Sequence, residues 1–388
     1  MSRIRIAIGI STAVGVVAAL GVMAAPTAGA QARGHDGRFT VVADHLNNPR
    51  GLSPAPGGGL YLAEAGSGGS LCLDGGPEGV SCVGLTGSFD LVTADGVKQI
   101  VSGLISISGD PSGAFAEGPV SVSRGPDGKF YGQFGLNTVG VPPPGPGIPD
   151  DLRNAALAQL GHLWLVKPNG SARNVSDVGD QDYTWTSTRK ELAPHDFPDA
   201  NPNAVLYSGG HRYVVDAGAN ILTEVKQNGA VNVLAFFTVP PDWQSDSVPT
   251  CVARGPDGAL YVGELLGGFY TPEGARIWRV VPGHAPTVWA TGLTTVQGCG
   301  FGKDGAFYAT EFETNGLNEG PDANPAGDVV RIDKHGHRTH LGVGKLFFPS
   351  GFAAGSDGAI YVSNCSVAPA AGLGPDLCPD GGQVVSIG

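Results

Sequence analysis

The chain has 388 residues, with 23 Lys and Arg against 35 Asp and Glu for a formal net charge of −12, and it carries 63 Gly, 30 Pro and six Cys. An acidic surface argues against a nucleic-acid partner, which needs a basic face. Beyond the N-terminal segment no stretch is apolar enough to span a bilayer.

Arg3 and Arg5 precede an apolar run from Ile6 to Ala25, and small residues follow at Ala28 and Ala30. That order predicts a secretory signal peptide over 1–30 with an A-x-A cleavage site, and hence a secreted protein. Cleavage removes two Arg and no acid, taking the charge from −12 to −14. Residues 31–38 then read as a short linker and 39–388 as one domain.

Short apolar runs between Gly, Pro and Asp turn signals fill that domain, and helix-period patterns are almost absent, so an all-β fold is expected. "GPDGALYVGE" (255–264) has near-copies at 56–65, 125–134, 302–311 and 355–364, and a degenerate one at 209–218. Aligned on Tyr61, Tyr131, Tyr213, Tyr261, Tyr308 and Tyr361, the spacings are 70, 82, 48, 47 and 53. Six units with a short period near 47 fit a six-bladed β-propeller of four-stranded blades.

The unit 249–293 shows the plan: "PTCVAR" as inner strand, "GPDG" as turn, then "ALYVGE", "ARIWRVVPG" and "PTVWATGL". "FTVVADHL" (39–46) reads as a fourth strand placed first, while the chain ends at "GGQVVSIG", a third strand lacking its fourth. Residues 39–46 are therefore expected to complete the last blade and close the ring. Insertions follow the second strand at 65–87, 135–161, 312–326 and 365–381, all on one decorated face. "PDDLRNAALAQLG" (149–161) carries the helix signals: Pro149 and two Asp at its start, Gly161 at its stop.

Two columns of residues approach the mouth on that face. Three positions after each Tyr stand Glu64, Phe134, Asp216, Glu264, Glu311 and Asn364. At the inner-strand starts stand Arg50, Glu117, Asn203, Thr250, Gln297 and Ser350. Converging carboxylates and amides suit a hard cation such as calcium, or a general acid or base with a raised pKa. An acid after a strand also serves to accept backbone N–H bonds, which is the structural alternative for Glu64, Glu264 and Glu311. Glu117 stands outside that column. His195, Asp196 and Asp199 lie in a loop leading to the mouth, where His195 is either a ligand or base or part of a self-capped polar loop. His335, His337 and His340 read as a solvated hairpin.

Six Cys in an exported chain read as disulfides, and although fifteen pairings exist, position in the chain favours Cys72–Cys82, Cys251–Cys299 and Cys365–Cys378. None has the spacing of a structural zinc site.

The six "GxDGxxY" units, the leader and the closing strand together resemble the ScyD/ScyE-type family of exported propellers. They are also similar to NHL-type repeats and to calcium-dependent lactonases of the gluconolactonase group. The lactonase resemblance implies that Glu117 of "EGPV" and Asn203 of "NPNAV" help hold a metal at the channel. The later Asp of that group has no counterpart, since its column reads Thr250, Gly298 and Ser350. "GPDGALYVGE" is similar to streptogramin lyases as well, though their seven blades and His-Glu pair have no match here. The functional expectation is a secreted propeller that binds a small molecule, glycan or partner chain on its acidic decorated face. The alternative is a calcium-assisted, lactonase-like hydrolase or a lyase acting at the channel mouth.

Overall fold

The computed structural model describes residues 38–74, 79–145, 147–194, 196–238, 246–267, 272–316 and 325–388. The predicted leader and His195 lie outside the described residues.

Six antiparallel sheets form the blades of a propeller. Blade one holds β2 (Pro49–Pro54), β3 (Leu60–Glu64), β5 (Val80–Thr93) and β6 (Gly96–Ser108); a short β4 (Leu71–Asp74) pairs with β5 and makes it five-stranded. Blade two holds β7 (Pro119–Arg124), β8 (Phe130–Phe134), β9 (His162–Val166) and β10 (Ala172–Asp177). Blade three holds β11 (Pro202–Ser208), β12 (His211–Asp216), β13 (Ile221–Val225) and β14 (Val231–Phe236). Blade four holds β15 (Pro249–Arg254), β16 (Leu260–Glu264), β17 (Ala275–Val280) and β18 (Thr287–Leu293). Blade five holds β19 (Val296–Phe301), β20 (Phe307–Glu311), β21 (Ala326–Ile332) and β22 (Arg338–Phe347).

Blade six combines β23 (Phe352–Ala354), β24 (Ile360–Asn364) and β25 (Gly382–Ile387) with β1 (Phe39–Leu46). β1 pairs antiparallel with β25, Phe39 opposite Ile387 and Leu46 opposite Gly382. The two ends of the chain thus share one sheet, and the predicted closure holds. Without it blade six would have three strands and the two ends of the chain would not be held together.

The repeated Asp and Tyr lock the hairpins of blades four, five and six on the undecorated face. In blade five Asp304 Oδ1 accepts from the Ala306 N–H at 3.1 Å, while Tyr308 Oη and Arg331 Nε donate to Oδ2 at 3.0 and 2.9 Å. Asp257, Tyr261 and Arg279 repeat this in blade four, and Asp357 with Tyr361 in blade six. The recurrence of "GxDGxxY" is therefore a turn device.

The core lies between neighbouring sheets. Phe89 of blade one meets Phe130 and Phe134 of blade two edge-on, with centroids 5.8 and 5.4 Å apart. Close approach of inner strands needs glycine: a Cβ at Gly298 would stand 2.1 Å from the Ser350 carbonyl, and one at Gly351 2.2 Å from that of Arg50. Hydroxyls tie consecutive blades, as Thr250 Oγ1 donates to the Val296 carbonyl at 2.6 Å and Thr310 Oγ1 to that of Ser350 at 2.7 Å. All three expected disulfides are present, and Cys251–Cys299 joins the inner strands of blades four and five.

The predicted helix is α1 (Asp150–Gln159), docked on β6 through Gln159 Oε1, which accepts from the Ile105 N–H at 2.7 Å. A second helix, α2 (Val178–Ser187), corrects the reading that only one exists. It follows a fourth strand rather than a second, and with 135–161 it accounts for the 82-residue spacing between Tyr131 and Tyr213. Asp177 caps it, accepting from the Asp180 N–H at 3.1 Å.

Candidate functional site

All six inner-strand starts reach the central channel. Arg50, Glu117, Asn203, Thr250, Gln297 and Ser350 line one cavity of about 450 Å³, with Phe301, Phe352 and the Cys251 and Cys299 sulfurs' residues on its wall. Thr250 and Ser350 spend their hydroxyls on neighbouring carbonyls, Val296 and Pro49. Arg50 Nη2 donates to the Ala116 carbonyl at 2.7 Å, while its buried Nε has no partner. The channel's chemistry therefore rests on Arg50, Glu117, Asn203 and Gln297.

Glu117 is anchored by its backbone. It exchanges two hydrogen bonds with Ile107 of β6, at 2.7 and 2.8 Å, in an isolated bridge. Gly135 leaves room for its carboxylate, since a Cβ there would stand 3.2 Å from Glu117 Oε2 and 3.1 Å from Asn201 Oδ1. Burial pushes the Glu117 carboxyl up and the nearby Arg50 guanidinium pulls it back; burial likewise lowers Arg50, against the pull of Glu117.

The second column does not line the channel. It ends the second strands and closes the entry loop of every blade but the second, where Phe134 packs against Phe89 and Trp164 instead. Glu64 Oε2 accepts from the Asn47 N–H at 2.5 Å, Asp216 Oδ1 from Asn201 N–H at 2.7 Å, and Glu311 Oε1 from Thr294 N–H at 2.7 Å. Glu264 Oε2 accepts from Ser247 Oγ at 2.7 Å and Trp278 Nε1 at 2.9 Å, and Arg276 forks onto both its oxygens. Asn364 Oδ1 takes the Phe347 N–H at 2.8 Å. These bonds fix the loops that carry the mouth residues.

Several carboxyls that the repeat pattern did not single out pair with this column. Asp90 of β5 lies beside Glu64, and burial with that neighbour pushes it up to about 10. Asp182 of α2 is fully buried against Asp216, and burial followed by the Asp216 charge raises it well above the carboxylate range. Asp216 rises less, to about 6, because backbone N–H groups offset its burial. Asp199, from the loop that also carries His195 and Asp196, is pushed up to about 7 by burial and Asp216. Of the three hairpin histidines, His335 and His337 are exposed around Asp333, as expected. His340 departs from that reading: its Nδ1 stands 2.6 Å from Asp328 Oδ2.

Calcium takes six to eight oxygens, several of them charged. The channel offers one carboxylate faced by a guanidinium, and Asp216, Glu64, Glu264 and Glu311 are turned into their blades. That donor set does not fit a hard divalent cation at the mouth. It does fit an uncharged ligand with both donors and acceptors.

No protein-family model matches the chain, and no curated protein does. Among solved structures it is similar to a gluconolactonase from Xanthomonas campestris, at 10% identity and TM-score 0.52 over 92% of each chain. A glucose dehydrogenase matches at 12% identity and TM-score 0.51, over 90% of this chain and 99% of that one. Virginiamycin B lyase from Staphylococcus aureus aligns at 11% identity and TM-score 0.48, over 90% and 99%. At such identities the likeness to the gluconolactonase and the dehydrogenase bears on the propeller fold alone, which hosts unrelated chemistries.

Proposed function

We propose that this chain is an exported propeller of the ScyD/ScyE type that binds a small, hydroxyl-bearing organic molecule, of the size of a sugar unit, in its central channel. The observation that carries the reading is the ring of Arg50, Glu117, Asn203 and Gln297 around a cavity of about 450 Å³. That volume is in the range of ligand pockets. The guanidinium, the two amides and the carboxylate supply donors and acceptors in near balance. Phe301 and Phe352 offer apolar surface for a ring or acyl face. Export follows from the leader-like segment and agrees with three disulfides and no free Cys among the described residues.

One observation favours the enzymatic alternative, a lactonase-like hydrolase or lyase. The Glu117 carboxyl, pushed up by burial, stands in the channel with no hydrogen bond of its own among the described residues. A thermal-shift screen of neutral sugars, sugar acids and their lactones separates the readings when turnover is followed in parallel. A binder gains about 2.7 kcal/mol of stability at a hundredfold excess of ligand over Kd. Glu117→Gln and Arg50→Met should both abolish that gain without product ever forming. A ligand whose stabilisation survives both substitutions would place binding elsewhere, and turnover lost in Glu117→Gln would favour the enzyme.

A further inference from the structure

Blade five breaks the charge pattern that its neighbours keep. In blade four the acid at the end of the second strand, Glu264, is neutralised by Arg276 at the start of the third. In blade six the same positions hold an amide pair, Asn364 Nδ2 donating to Gln383 Oε1 at 3.0 Å. In blade five Glu311 faces Asp328 directly across the β20–β21 ladder, and both are buried. Like charges directly opposite one another in a sheet are destabilising, and burial makes this worse. The third member of the group is His340 on β22, whose ring reaches Asp328.

One ligand atom from each of Glu311, Asp328 and His340 falls within 4.8 Å of the other two. Asp328 is 4% exposed, and its Oδ1 has no hydrogen-bond partner. The Thr294 N–H donates to Glu311 Oε1 at 2.7 Å and fixes that carboxylate. Arg338, two residues from His340, is committed to the carbonyls of Thr291 and Gly292 in blade four and does not replace Arg276.

We propose that Glu311, Asp328 and His340 form a site for a divalent first-row transition ion on blade five, outside the channel, where the ion supplies the positive charge that Arg276 supplies in blade four. One imidazole nitrogen and two carboxylate oxygens are a donor set suited to zinc and its neighbours rather than to calcium. Three protein ligands with His340 half open to solvent leave an entry path and a position for water. The Thr294 N–H has the orienting part that outer hydrogen bonds have around metal ligands.

The test uses the full mature protein, stripped with a chelator and titrated with zinc alone by calorimetry and thermal shift. Cobalt supplies a visible-absorption readout of low-coordinate geometry. The expected result is one equivalent bound with a rise in Tm. Affinity should fall by about 100-fold or more in both His340→Ala and Asp328→Asn. His340 is exposed enough that its variant should fold normally, which keeps the test valid if Asp328→Asn does not. A His335→Ala, His337→Ala double variant should bind as the parent does. The proposal is overturned if the parent binds no zinc, if His340→Ala binds unchanged, or if the hairpin double variant is the one that loses the metal.

Discussion

Asp182→Asn isolates a buried proton. Neither oxygen of Asp182 has a hydrogen-bond donor, and Asp216 Oδ2, its neighbour, has none either. Asp216 Oδ1 already accepts from the Asn201 and Ala219 N–H groups, at 2.7 and 2.8 Å. Asp182 is therefore the group that keeps a proton and donates it to Asp216. Its folded pKa is raised by burial, so the unfolded chain releases this proton near pH 4 while the native state holds it. Stability then falls as pH rises above about 4, because unfolding releases protons. Asparagine has the same shape and donates to Asp216 at every pH.

At pH 4 the variant should match the parent, and above that it should gain about 1.4 kcal/mol on the parent for each pH unit through which the native state keeps its proton. With an unfolding entropy near 2.1 cal/mol/K per residue over roughly 350 residues, each such unit is a rise in relative Tm of about 2 °C. Thermal unfolding by circular dichroism at pH 4, 7 and 9 measures it. Asp199 and Asp246, each pushed up to about 7, contribute to the parent's own slope, so the difference between the two proteins is the quantity to read. If the variant loses the same amount of stability at all three pH values, Asp182 is not the proton holder.

Glu264→Ala removes the buried carboxylate to which Arg276 and the Trp278 Nε1–H donate, and should cost about 3–5 kcal/mol in chemical denaturation; a loss below about 1 kcal/mol, the worth of an exposed pair, would contradict the buried pairing. Replacing Cys251 and Cys299 together by Ala opens a cross-link spanning 48 residues and should cost about 4 kcal/mol, against about 3 for the 10-residue Cys72–Cys82 link. Equal losses, or the reverse order, would show that loop closure does not set their worth.

The propeller was legible because its instructions are local and repeated. In blades four, five and six an Asp holds its own turn and bonds a Tyr four residues on, so the same letters recur at the blade period. The closing strand was legible for the same reason, since 39–46 carries a fourth-strand pattern out of place and finds its partner in 382–387. The mouth column of Arg50, Glu117, Asn203 and Gln297 followed from inner-strand position alone.

Helix α2 was not legible. Its buried residues are Val178, Gly179, Asp182 and Thr186, spaced as a helix requires but with one apolar side chain larger than glycine among them, so no hydrophobic period marks it. Nor did the sequence reveal what the acid column faces. Glu264 meets Arg276, Glu311 meets Asp328 and His340, and Asp216 meets Asp182 from a helix 34 residues earlier. Turn chemistry acts within four or five residues and is written in the sequence at that range. Charge compensation acts through space across strands of unequal loop length, and only the folded register decides which carboxylate receives a cation, a proton or neither.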